Sequence, residues 1–262
     1  MDAKGCKHII LVHGSCLGGW YWFKVATPLR AAGYRVDTPD LAASGVDPRP
    51  LQDVPTFRDY TAPLLDLLAA LPAGERVILV GHSFGGMNIA LAIEMFPEKV
   101  AAAVFLCAFM PDCTTRPSYV LQKFQEGNRQ DWMAYSEMEP QDAEAKLSTS
   151  SMLFGTKLAR EKFFQMCSPE DLTLAISLMR VSSLFLEDQQ VQQPYTQERY
   201  GAVRKVYVVC TEDYAIVEEF QRWMVENNPV DEVKEIAADH MVMLSRPGEL
   251  VQCLQDIAEK YA

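Results

Sequence analysis

Histidine is scarce in this chain of 262 residues, with only four copies. Any reaction that needs an imidazole can therefore be traced by elimination. The seven cysteines are odd in number and scattered, and no Cys-x-x-Cys occurs. That argues against a disulfide frame or a zinc site, and fits reduced, mostly buried thiols in a cytosolic protein. No Gly-Lys-Ser/Thr and no spaced Gly-x-Gly-x-x-Gly is present, so phosphate or dinucleotide binding is not expected. Neither a metal nor a cofactor is anticipated. The longest apolar run, Val100 to Met110, falls well short of the roughly 20 residues that cross a bilayer. Met1-Asp2-Ala3-Lys4-Gly5-Cys6 leads straight into a strand, so no leader peptide is expected. Positive charge is also short: 24 Lys and Arg against 35 Asp and Glu leave a net charge of −11. Nucleic acid and anionic membranes are thus poor partners. A small neutral molecule remains open, as does a homodimer.

Hydrophobic residues make up 49% of the chain, ample for a core. Their spacing alternates between strand and helix patterns up to about residue 110. Strands are expected at 8–12, 34–39, 76–82 and 101–108, with helices at 19–32, 56–71 and 84–96 between them. The alternation resumes with strand 205–211, helix 216–227, strand 232–237 and helix 247–260. Such a pattern predicts an α/β fold, a mostly parallel sheet with helices on both faces. Residues 112–199 break it. They are polar, rich in Met and aromatics, and suggest only short helices at 117–126, 156–166 and 169–179. The expected organisation is a core of 1–111 and 200–262 with 112–199 inserted as a cap over the catalytic rim. Trp132, Met152, Leu153, Phe154, Phe163, Phe164, Leu184 and Phe185 are available to line an apolar pocket beneath it.

The most informative segment is Val77-Ile78-Leu79-Val80-Gly81-His82-Ser83-Phe84-Gly85-Gly86-Met87. A buried strand runs into Gly-x-Ser-x-Gly and then a helix, the setting of a nucleophile elbow. The turn forces Ser83 into a strained conformation, and glycines two before and two after relieve the crowding. A serine needs a base to remove its proton. His8 opens a strand, His13 sits in a Gly-rich loop, and His82 leaves the elbow in another direction. His240, after the strand-like 232–237 and before the last helix, remains. The third member should be a carboxylate between Ser83 and His240 in sequence. Thr211-Glu212-Asp213 ends a buried strand on the same rim, and Asp213 and Glu212 compete. Asp213 is preferred because it lies further into the loop beyond the strand. Asp239 is adjacent to His240 and poorly placed to orient it. Phe84 and Ser15, the latter in the loop after the first strand, should offer the two backbone N–H groups of an oxyanion hole.

These residues resemble the plant methylesterases of the α/β-hydrolase fold. The likeness runs through Leu11-Val12-His13-Gly14, Asp40 to Gly45, Gly81 to Met87, Cys167 to Leu172, Phe220 to Trp223 and Asp239-His240-Met241. It implies Ser83, Asp213 and His240 as a triad, Ser15 and Phe84 as oxyanion donors, and hydrolysis of methyl esters of acids such as salicylate, jasmonate or indole-3-acetate. It also implies Gly14, Phe109, Trp132, Met152, Phe154, Leu184 and Met241 beside the substrate. Two positions depart from the pattern. Ser15 stands where a smaller residue is common, and Leu17 replaces a frequent histidine. Related hydroxynitrile lyases carry threonine at the position of Gly14 and lysine at that of Met241. Plant hormone receptors that bind without turnover share the same fold. Those are the two rival readings.

Overall fold

In a computed structural model, which describes residues 7–135 and 151–262, six parallel strands form one twisted sheet. They are β1 (His8–Val12), β2 (Arg35–Asp37), β3 (Val77–His82), β4 (Val100–Leu106), β7 (Lys205–Cys210) and β8 (Glu232–Ile236), in the order β2-β1-β3-β4-β7-β8. The chain thus starts one strand in from an edge, forms that edge as β2, and returns past β3 to the opposite edge. The reversal lies between β1 and β3, where Val12 pairs with Gly81. In open parallel sheets, ligands bind beyond the carboxyl ends of strands near such a reversal. The elbow and the Gly-rich loop leave the sheet there together.

Alternation along each strand sorts its side chains into two cores. Ile10, Val12 and Leu79 face one cluster with Phe57, Tyr60, Leu64 and Leu68 of α2 (Phe57–Ala69) and with α3 (Gly85–Met95). Ile9, Leu11, Ile78 and Val80 face the other, with Val25 and Leu29 of α1 (Phe23–Ala31) and Leu250, Leu254 and Ile257 of α10 (Pro247–Tyr261). Each buried aliphatic side chain stabilises the fold by about 1.5–3 kcal/mol. The expected strands and helices of this part all appear, with ends shifted by a few residues. The helix expected from 19 opens as a 3-10 turn, Gly19–Trp22, before α1 begins. The helix α2 starts where Thr56 accepts from the Asp59 N–H at 3.1 Å, a cap contributing about 1 kcal/mol.

Between β4 and β7 the chain leaves the sheet. It forms α4 (Ser118–Tyr135), β5 (Ser151–Met152), α5 (Thr156–Leu158) running into a single π turn, α6 (Pro169–Leu178), β6 (Ser182–Ser183) and α7 (Leu186–Val191). Ser168 caps α6 by accepting from the Asp171 N–H at 3.1 Å, and Pro169 occupies the first helical position, where its missing N–H does no harm. The antiparallel pair β5–β6 and the helix α7 were not anticipated, being too short to show a period. After β7 come α8 (Glu218–Asn227), β8, the short α9 (Val242–Ser245) and α10. No helix among the described residues is long and apolar enough to cross a membrane.

Candidate active site

Ser83 sits on the turn between β3 and α3 with φ of +55°, a left-handed backbone that a serine adopts only under constraint. Three hydrogen bonds supply the constraint. Ser83 N–H donates to Leu106 O at 3.3 Å, and Ser83 O accepts from Gly86 N–H and Phe109 N–H, each at 3.1 Å. Glycine is required on both sides of the turn. A Cβ on Gly81 would stand 2.6 Å from Gly85 O, and one on Gly85 would stand 2.7 Å from His13 O. The elbow is therefore pressed against the loop that follows β1. A Cβ on Gly14 would come within 2.9 Å of the Ser83 Cβ. That contact places the loop carrying Ser15 directly against Ser83. Among the described residues, neither the Ser15 nor the Phe84 backbone N–H has an acceptor. Both are free for a ligand oxygen, as an oxyanion hole requires.

His240 and Asp213 meet on the same rim. Their Nδ1 and Oδ2 are 2.7 Å apart, and both side chains are almost fully inaccessible to solvent. The second oxygen of Asp213 accepts from Ala215 N–H at 2.7 Å and Ile216 N–H at 2.9 Å, which fixes the carboxylate's plane. Glu212, its competitor in the sequence, is exposed and spends its backbone on Ala238 O and the Gln165 amide. Asp239 also turns elsewhere. It accepts from Ser245 Oγ at 2.6 Å, Met166 N–H at 2.8 Å and Met241 N–H at 3.2 Å, and burial pushes its carboxyl above the usual range.

The remaining histidines have structural partners. His8 pairs with Asp37 and Glu75. His13 accepts from Leu41 N–H at 3.0 Å and donates to Gly14 O at 2.8 Å, so it holds the loop as a neutral ring. His82 does more than its sequence position suggested. Its Nε2–H donates to His240 O at 2.8 Å, and its Nδ1 pairs with the Tyr21 hydroxyl at 3.0 Å. Burial, then the neighbouring His240, holds its pKa well below the ordinary value. A neutral His82 thus braces the backbone of His240 from beneath, a role that no sequence pattern announced. His82, Cys107 and His240 bring their possible ligand atoms within 4.8 Å of one another. They do not suit a metal. Both nitrogens of His82 and Nδ1 of His240 are already bonded, and burial pushes the Cys107 thiol far up.

A cavity of about 700 Å³ opens above Ser83 and His240. Phe109, Met152, Phe154 and Leu184 line it. So do Ser15, Phe84, Phe163, Leu121, Phe124, Ala215 and Ile216, with Gln122, Gln125, Glu126 and Gln190 adding polar groups. Two expected wall residues are absent from the lining. Gly14 is covered by the elbow, and Met241 is 1% exposed within the apolar cluster around α9. Of the other candidates, Phe164 is buried in the core, Phe185 packs on Phe57 and Tyr60, and Leu153 is exposed. The side chain of Trp132 lies outside the described residues. The polar helix face bearing Gln122, Gln125 and Glu126 carries no apolar residue, so no hydrophobic pattern in the sequence marks it as pocket wall.

A family model described as "Alpha/beta hydrolase family" matches residues 9–252. Salicylic acid-binding protein 2 of Nicotiana tabacum is 50% identical over 98% of this chain and 99% of its own length. Methylesterase 1 of Arabidopsis thaliana is 46% identical over 99% of both chains. The crystal structure of polyneuridine aldehyde esterase superposes with a TM-score of 0.90 at 44% identity, covering 97% of this chain and 100% of that one.

Proposed function

The chain belongs to the alpha/beta hydrolase family, and from that premise we infer that it is a serine carboxylesterase cleaving methyl esters of small acids. The observation that carries the reading is the 2.7 Å pair between His240 and Asp213, buried on the rim of the cavity that Ser83 also lines. Ser83 Oγ attacks the ester carbonyl while His240 Nε2 takes its proton. Asp213 accepts from Nδ1–H, selects the tautomer that leaves Nε2 free, and stabilises the imidazolium. The oxyanion draws on the N–H groups of Ser15 and Phe84 at the start of α3, where the helix dipole adds favourable potential. The proton on Nε2 passes to departing methanol, and water then cleaves the acyl-enzyme by the same route.

The insertion 112–199 acts as the cap in this reading. Met152, Phe154, Phe163 and Leu184 give the acyl group an apolar wall, and the carboxyl ends of the sheet strands supply the chemistry. The cavity suits a neutral ester of an aromatic or alicyclic acid. Reduced thiols point to a cytoplasmic setting.

The lyase reading is weakened at position 241, where related lyases carry lysine: Met241 is uncharged and buried outside the cavity lining, so it offers departing cyanide no charge. The experiment is methanol release from methyl salicylate, methyl jasmonate and methyl indole-3-acetate, alongside mandelonitrile cleavage and titration with the three free acids. Turnover of at least one ester well above mandelonitrile is expected. Faster mandelonitrile cleavage overturns the esterase reading. Tight acid binding without methanol release makes the protein a receptor.

A further inference from the structure

The hydroxyl of Ser15 is buried, meets no solvent, and has no hydrogen-bond partner among the described residues. Several hydroxyls elsewhere in the fold are engaged. Ser44 Oγ donates to Ala42 O, Ser245 Oγ to Asp239, and Thr61 Oγ1 to Phe57 O. Seven other described residues also hold an unpaired buried side-chain atom, but of the eight Ser15 alone lines the cavity. An unpaired buried donor is a standing cost to the folded state, so a group that fills the position only when ligand arrives is the natural account.

The position is fixed from both sides. Gly14 N–H donates to the Tyr21 hydroxyl at 3.3 Å, and Gly14 lies against Ser83. Cys16 holds a φ of +64°, and its carbonyl accepts from Arg180 N–H at 3.0 Å. Ser15 is thus held one residue from the contact with the nucleophile, with a side chain that needs only a turn about one bond to redirect its O–H.

We propose that the Ser15 hydroxyl is a third donor to the oxyanion, joining the backbone N–H groups of Ser15 and Phe84. The proposal rests on the reading of Ser83 as nucleophile. When Ser83 Oγ bonds to the carbonyl carbon, the π pair moves onto the carbonyl oxygen. Ser15 Oγ–H donates a hydrogen bond to that oxygen and keeps its proton. The bond is absent in the free enzyme and made where charge develops, so it favours the transition state over the bound ester.

The test is Ser15→Ala in the full chain. With the best methyl ester, kcat should fall by about a hundredfold while KM stays within about twofold. Affinity for phenylboronic acid, which forms a tetrahedral adduct on the nucleophile, should fall in step, while affinity for the free acid product holds. The thermal midpoint should stay level or rise, because the unpaired donor is gone. Ser15→Cys, similar in size with a far weaker donor, should behave like alanine and guards against a loop disturbed by truncation. Wild-type kcat and boronate affinity in both variants would overturn the proposal. So would a loss of kcat matched by a fall in the midpoint. If the wild type itself releases no methanol and ignores the boronate, it is the esterase reading that fails.

Discussion

The rim of the sheet and the segment above it close the same cavity but are held in different ways. On the rim, backbone does the holding. Ser83 is tied through its own N–H and C=O to Leu106, Phe109 and Gly86, and Asp213 is fixed by two successive N–H groups. Above the rim, beside the backbone bond from Arg180 N–H to Cys16 O, side chains do it. The Arg180 guanidinium reaches the carbonyls of Gly45, Asp47 and Arg49, Lys24 pairs with Asp171 at 2.7 Å, and Asp188 accepts from Phe57 N–H at 2.9 Å. Phe124 of α4 rests edge-on against Phe109 and Phe220. Backbone bonds survive most substitutions, whereas side-chain ties are lost one mutation at a time. The chemistry is thus insulated from sequence drift, and the pocket wall is left free to change.

Breaking the rim should therefore abolish turnover, and breaking the cap should only retune it. Ser83→Ala should lower kcat by about a thousandfold or more with the circular dichroism spectrum unchanged. Retention of a tenth of wild-type methanol release would remove Ser83 from the nucleophile role. Asp213→Asn should cost at least about a thousandfold through the wrong His240 tautomer, while Glu212→Gln stays within about twofold. The reverse ranking would assign the orienting role to Glu212.

Arg180→Ala tests the other side. It frees three carbonyls at once, and we expect KM to rise severalfold with kcat nearly constant, together with a loss of about 1–3 kcal/mol in denaturant unfolding. A collapse of kcat instead would mean that the cap tie also sets the catalytic geometry. The smallest effect lies at the far sheet edge. Hydrogen bonding to Lys260 in α10, with Lys234 and Tyr261 helping, lowers the Glu232 carboxyl to about 2. Its contribution is present above 4.5, the ordinary value for a glutamate, and is lost as pH falls toward about 2. Glu232→Gln should cost less than about 1 kcal/mol at pH 7, because solvent screens the pair. That deficit should vanish near pH 2 in acid-unfolding curves.

The sequence revealed most where geometry leaves few choices. The elbow could be read because only glycine fits at 81 and 85, and the sheet because buried parallel strands are continuous apolar runs. His240 emerged because so few histidines competed with it. The sequence was silent where a role depends on a neighbour distant in the chain. His82 braces His240 across 158 positions, and Asp239 reaches Met166 rather than the histidine beside it. Gly14 and Met241 were expected at the cavity wall, yet the close packing that makes them sensitive to substitution also covers them. The pair β5–β6 has two residues per strand, too few to alternate.

The sheet order has a consequence for synthesis. Strands β1 to β4 occupy four adjacent places and lie within the first 106 residues, so they can pair as soon as they emerge. The neighbour of β4 is β7, where Ala103 meets Lys205, and the whole insertion must be made before that partner exists. Closing so long a loop adds little to its equilibrium free-energy cost but slows folding. Asp213 and His240 both arrive with the late strands. On the proposed assignment, the nascent chain therefore carries its nucleophile long before the residues that would activate it are made.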